Sequence, residues 1–492
     1  MFPYQQNLHM YPVLASFRHT VVASLLLSVA SVGIGQESPP TKSSTNALPT
    51  ENIVGDALLN QEAYSFLATM ITRYGHRLAG TPGNDRSLDY LQKELEYLGL
   101  EVHRESFQHP GWVRGDDRAI LIKPENRSLR SITLGYVNRQ KPVEAPVALL
   151  RSIDLETLDP KALDGRIILV PSSLRLNQAK FLRLANDFGV CGALLMNRVN
   201  GGQLLARVAN HDGEAPPFPL FGITREDGLR LQAQLEVDIP VVVRLETRSQ
   251  IKPMSSENLV AVLPGESDER IVLGAHFDSW DLGQGAMDNG LGVAQLFEVA
   301  RLLQKHSPKN AYTVTIVFFN AEEWGLWGSR RYVEAHRESP IRVMVNLDMV
   351  GEITGVNAMG FDELVSVLES FSSRLGALKF SRNLANKTWL GGDHHPFILE
   401  GIPAITFYAP IPAEDVRYYH DAADTLDKVK PTLLAKSSAI SALLIHHLAN
   451  DTESDYRRYS REETATLFRK AGLEKRLVLD EKWPFADIPP AE

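Results

Sequence analysis

From Glu257 to about Asn450 the chain alternates short apolar runs with stretches of helical spacing. NLVAVLPG, RIVLGAHF, TVTIVFFN, RVMVNLDMVG and PAITFY read as strands. They are rich in β-branched and aromatic residues and are bounded by turn formers. Helices are expected from Asn289 to Lys305, from Gly325, at ELVSVLES and over LLAKSSAISALLIHHLAN, where apolar residues recur at three and four. This alternation predicts an α/β fold, a sheet with helices on both faces.

Two earlier helical patterns precede it. DALLNQEAYSFLATMITRYG is one, and SLDYLQKELEYLGL the other, with Gly99 where a helix would stop. RLAGTPGNDRS between them reads as a loop, and EVHRESF alternates as a strand. From Gly115 to Ser249 the texture changes to short β-runs separated by turns, interrupted by one helix at QAKFLRLANDFGV. That is the pattern of a small, mostly β insert. SQIKPMSS at 249–256 reads as the linker back. The expected organisation is 51–114 and 250–450 for one main domain, 115–249 for the insert, and a charged tail at 451–492. At ~150 residues per domain, a chain of 492 residues accommodates this.

One apolar run, TVVASLLLSVASVGIG at 20–35, lies near the start of the chain. It is shorter than the ~20 residues a comfortable span needs. Arg18 and His19 precede it and small residues end it. It reads as a secretory signal occupying 1–35, with Met10 as an alternative start, and 36–50 as a Ser/Thr/Pro-rich flexible leader. A short uncleaved anchor is the alternative. Cleavage would leave no stable membrane span and a secreted or periplasmic protein. The single cysteine, Cys191, excludes an internal disulfide and reads as a small core residue. A net charge of −9 argues against nucleic acid as a bulk partner.

Candidate chemistry gathers at strand ends. His276 follows IVLGA, Glu322 and Glu323 follow TVTIVFF, and Asp348 follows VMVN. In α/β sheets, sites form outside the carboxyl ends of strands. Imidazole with carboxylate suits zinc. Each acid alone reads more simply as a helix cap or turn residue; their shared rim favours a metal site. At a strand end, adjacent Glu322 and Glu323 point different ways, so one can ligate while the other takes a proton. Asp278, two residues after His276, is placed to accept that imidazole's other N–H. Asp288 before the Asn289 helix is either an N-cap or a carboxylate bridging two metals.

HFDSWDLGQGAMDNGLGVA, AEEWGLWGS, NLDMVG, GGDHHPFILEGIPAI and YYHDAADTLDKV together resemble the M28 family of co-catalytic zinc peptidases. Within it, DSWDLGQGAMD is most similar to the carboxypeptidase Q subgroup. RLAGTPGN resembles an early family segment, and the insert resembles a protease-associated (PA) domain. The resemblance spans most of 57–450 and implies a mixed, twisted sheet flanked by helices. It implies two zinc ions per chain, bridged by Asp288. His276 and Asp348 would complete one set of ligands, Glu323 and His420 the other. Glu322 would be the general base, Asp278 would support His276, and Asp424 would support the site from behind. Small unblocked peptides, dipeptides especially, would be the substrates, and the resemblance admits a homodimer.

Asn289, Leu291 and the run Asp393-His394-His395-Pro396 depart from the subgroup pattern. They put substrate preference in question. His394 and His395 are expected to line the pocket or satisfy local hydrogen bonds, with Asp393 beside them. Tyr418 and Tyr419 are candidates to stabilise the oxyanion. Trp280, Trp324 and Trp327 are candidates for a substrate wall or for core. The rival readings are a general aminopeptidase on longer peptides, a non-catalytic receptor or binding protein on the same scaffold, and a one-zinc cyclase of N-terminal glutamine.

Overall fold

Strands buried on both faces need apolar residues at every position, and the run ending at His276 meets that demand. In the computed structural model, which describes residues 49–479 and 482–489, Gly265–His276 lies inside a seven-stranded sheet. It is parallel to Asn310–Phe319 on one side and to Ile341–Asn346 on the other. Ala404–Tyr408 continues the parallel part beyond Ile341–Asn346. Gly355–Asn357 closes that edge antiparallel. At the other edge Gln250–Leu263 and Glu101–Val113 add antiparallel strands. The sheet is therefore mixed, as expected.

Alternate side chains serve two cores. Ile271, Leu273, Ile316, Phe318, Val343 and Val345 face Leu291–His306 and Pro431–Ala449. Val272, Val317, Phe319 and Met344 face the other way, against Tyr332, Val333 and Phe397. Those three residues come from the helices Trp327–Ala335 and His394–Leu399. Pro431–Ala449 is long and apolar enough to cross a membrane, yet 78% of its apolar window is buried in this core.

Several boundaries differ from the sequence reading. The first helical pattern is two helices, Thr50–Asn60 and Glu62–Tyr74, because Gln61 takes a left-handed conformation between them. RLAGTPGNDRS is a loop only as far as Thr81, whose side chain caps a helix running Pro82–Tyr97. Gly99, at φ +81°, ends it where expected. The helix expected from Asn289 begins at Leu291, after an irregular turn over Ala286–Gly290. The one expected from Gly325 begins at Trp327.

Residues 249–256 are not a linker. Gln250–Leu263 is a continuous strand paired with Glu101–Val113 along its length, with Pro253 opposite Pro110. Only Leu259–Leu263 also meets Asn310–Phe319. The polar half is thus a two-stranded ribbon beyond the sheet, where a proline without an N–H is tolerated. From this ribbon the chain enters a second, eight-stranded sheet built wholly from strands between Arg118 and Thr247. That stretch holds the expected helix, Gln178–Asn186, and an unforeseen one, Arg225–Glu236, capped by the Thr224 side chain. The tail also folds. Arg461–Lys470 carries a capping box, and Tyr456, Phe468 and Phe485 are buried in the main core.

The expected signal (1–35) and the leader up to residue 48 lie outside the described residues. The helix at Thr50 begins within the last residue assigned to that leader.

Candidate active site

His276 ends its strand and Asp288 follows the loop that strand enters. Glu322 and Glu323 follow the neighbouring strand, Asp348 the next, and His420 comes from a loop before the last long helix. The fold brings all six together. His276 Nε2 lies 3.1 Å from Asp288 Oδ1 and 3.5 Å from Asp348 Oδ1. His420 Nε2 lies 2.7 Å from Asp288 Oδ2 and 3.1 Å from Glu323 Oε2. The two oxygens of Asp288 thus face two imidazoles, each accompanied by a second carboxylate. Each trio, His276–Asp288–Asp348 and Asp288–Glu323–His420, has its donor atoms within 4.8 Å of one another.

The backbone around these groups is pinned by polar side chains. Asp424 accepts the Met287 and Asp288 N–H groups at 2.7 and 3.1 Å. Asn289 donates to Leu347 O at 2.8 Å and accepts the Met349 N–H at 3.0 Å, tying the Asp288 turn to the strand end that carries Asp348.

Asp278 acts differently from expectation. Its main-chain oxygen accepts from His276 Nδ1 at 3.1 Å, whereas its carboxylate is 3.7 Å from that nitrogen. The carboxylate instead accepts the N–H groups of Glu322 and Glu323, at 3.0 and 3.2 Å. The turn after the strand presents those two donors, and an acceptor there fixes both glutamates.

Arg77 was the residue that sequence reasoning missed. Its guanidinium is fully buried and donates to Phe277 O (2.8 Å), Gln284 O (3.0 Å) and Gly285 O (2.9 Å). It ties down the loop between His276 and Asp288. The RLAG segment was recognisable, but acceptors that are main-chain carbonyls of any residue type leave no trace in sequence.

Carboxyl and imidazole groups are crowded together here out of water. Burial pushes Glu322 well above the ordinary carboxylate range, helped by Glu323, Asp393 and Asp348. Burial likewise raises Glu323, Asp393 and Asp424, each to about 7. Burial alone would lower both imidazoles. The acids around them outweigh it, and His276 and His420 rise well above their usual value. Glu323 Oε1 is buried with no hydrogen-bond partner. Imidazole and carboxylate donors in two trios, one shared acid and an unpartnered oxygen fit two divalent cations.

Glu322 belongs to neither trio. Tyr419 stacks on the His420 ring at 3.6 Å between centroids. The residue as a whole is 38% exposed, but desolvation at its hydroxyl, with Asp288, Glu323, Glu322 and Asp348, pushes the phenol well above 10.0, so it remains a donor. Tyr418 lies under the cations of Arg417 and Lys428. Asp393 is fully buried with both oxygens unpartnered. His394 hydrogen-bonds locally, 3.2 Å from Trp389 O, and neither it nor His395 joins a trio. Trp324 is core rather than wall: it is buried among Trp112, Tyr136 and Trp280. Trp280 shares that cluster and approaches the His420 ring at 5.9 Å.

Residues 258–445 match the sequence model of Peptidase family M28. Bovine (Bos taurus) carboxypeptidase Q is 26% identical to this chain over 411 residues, covering 79% of this chain and 85% of its own. Among solved structures, a peptidase M28 precursor from Shewanella amazonensis superposes with a TM-score of 0.74 at 23% identity, over 84% of this chain and 98% of its own. BSAP, a zinc aminopeptidase from Bacillus subtilis, does so with a TM-score of 0.65 at 19% identity, over 80% and 96%. Both share the fold.

Proposed function

We propose that this chain is an exported di-zinc exopeptidase of the M28 type, acting on short peptides with free ends, dipeptides preferred. The observation that carries the reading is the pair of trios sharing Asp288, with Glu322 left outside both. His276, Asp288 and Asp348 would hold one zinc, and Asp288, Glu323 and His420 the other. Zinc bound there would supply Lewis acidity, acidifying water and polarising the peptide carbonyl. The Glu322 carboxylate takes the proton of the attacking water and later delivers it to the leaving amine nitrogen. Asp278 holds Glu322 in place through its main-chain N–H. The Tyr419 hydroxyl is the donor available to the developing oxyanion. Export rests on the apolar run at 20–35. The dipeptide preference rests on the likeness to carboxypeptidase Q.

The test is amino-acid release from dipeptides and tripeptides, free, N-acetylated and C-amidated, with and without chelator. Chelator-sensitive cleavage confined to dipeptides with both ends free is the expected result. Cleavage of tripeptides and amides but not acetylated peptides would replace it with a general aminopeptidase. No cleavage with metal bound would favour a binding protein.

A further inference from the structure

The two imidazoles of the site are oriented in different ways. His276 is held by Asp278, two residues along its own loop. His420 is held by a segment 214 residues away in sequence: its Nδ1 donates to Ala206 O at 2.7 Å. That bond leaves Nε2 to face Asp288 and Glu323. Ala206 belongs to the stretch between the strands Gly192–Met196 and Leu220–Ile223 of the second sheet.

The same stretch is fastened to the His420 loop at further points. Ala206 N–H donates to His420 O at 3.1 Å, closing a reciprocal pair with the imidazole bond. Leu204 N–H donates to Asp421 Oδ2 at 2.7 Å. Arg417 Nη2 donates to Asn200 O at 2.7 Å, to Asn200 Oδ1 at 2.9 Å and to Gln203 Oε1 at 3.1 Å. His420 itself sits at φ +56°, in the left-handed region. A non-glycine residue there costs energy that its surroundings must offset. Ala206 is fully buried in a cluster that joins Ile132 and Tyr136 of the second sheet's segment to Trp280, Ala321 and Trp324 of the site loops.

We propose that residues 200–206 are a positioning element for His420, so that the Asp288–Glu323–His420 trio is competent for metal only while the second sheet is docked. In the His276–Asp288–Asp348 trio the imidazole has its own support, the main-chain oxygen of Asp278. The inference rests on the two-metal reading above. It gives the second sheet a part in the chemistry: it completes one half of the metal centre.

Loss of such an outer hydrogen bond typically weakens metal binding about 10–100-fold. Arg417→Met severs the outer fastening from a half-buried site and leaves both trios chemically intact. Each metal-free protein is titrated with Co²⁺ against a competing chelator, following visible absorption, with circular dichroism as the check on folding. The expected result for wild type is two tight sites. For Arg417→Met it is one site at wild-type affinity and one weakened at least tenfold. Two unchanged sites in Arg417→Met, or two sites weakened equally, would overturn the positioning role and leave the two-metal reading standing. A wild type that binds one Co²⁺ would overturn both.

Discussion

Replacing Arg77 by Met tests how the loop between His276 and Asp288 is held. The methionine chain fills much of the arginine stem's volume but donates nothing. Three charged hydrogen bonds are lost, to Phe277 O, Gln284 O and Gly285 O. Bonds to a charged group contribute about 1.5–3 kcal/mol each, and a stranded buried acceptor costs about 1–3. Against this stands the desolvation of the guanidinium, which the variant recovers. Burial lowers its pKa to about 10, countered by Asp424, Asp278, Asp288 and Glu323, so it stays charged at neutral pH. Removing one member of a buried charged arrangement costs about 3–5 kcal/mol net, and we expect that loss. It is a large share of a typical stability of about 5–15 kcal/mol, yet short of unfolding. Arg77→Lys keeps the charge but not the planar fork, and should recover no more than about half, the share of bonds a single ammonium can replace. Urea unfolding of the metal-free proteins measures both. A loss below about 1 kcal/mol for Arg77→Met, the scale of one ordinary hydrogen bond, would refute the strut argument.

Glu322→Gln should bind metal as wild type does, because Glu322 lies in neither trio, while kcat falls by about 10²–10⁴-fold, the scale of a lost general base; near wild-type turnover would remove Glu322 from that role. Asp56→Asn should flatten the acid limb of the stability curve. Burial raises the Asp56 carboxyl, but hydrogen bonds from Arg301, Lys305 and His306 outweigh it and hold the group far below 3.8. A depressed folded pKa means that this stability is fully present above the unfolded value and is lost as pH falls through the folded one. Urea midpoints of wild type should therefore drop more steeply than those of the variant below about pH 4. Parallel curves would show that the ion cluster contributes nothing.

Which residues meet was legible in the sequence; what each one touches was not. Runs such as IVLGAH and TVTIVFF declare themselves because strands buried on both faces leave no room for polar residues. Histidine and acids at the ends of such runs are conspicuous. Gln250–Ser255 carries no such signal: in a two-stranded ribbon Lys252 and Ser255 face solvent and Pro253 needs no partner. The break at Gln61 was equally silent, since glutamine is an ordinary helix former and only tertiary packing turns the chain there. Asp278 was placed at the right centre for the wrong bond, because periodicity says which strand end a carboxylate occupies and not which N–H groups the next strand end presents.

The supports of this site share one chemical character. Arg77 donates to three carbonyls, Asp278 and Asp424 each accept two backbone N–H groups, and His420 leans on the carbonyl of Ala206. Main chain binds main-chain loops to one another through a few polar side chains, and the side chains that would hold metal are left free of protein donors. A carboxylate already bound to N–H groups has less to offer a cation. Asp288 and Glu323 are paired only with the imidazoles that would share their metals. The division of labour between acids that hold backbone and acids that face the two imidazoles separates Asp278 and Asp424 from Asp288, Glu323 and Asp348. The acids that face the imidazoles are arranged for charge that must arrive from outside the chain.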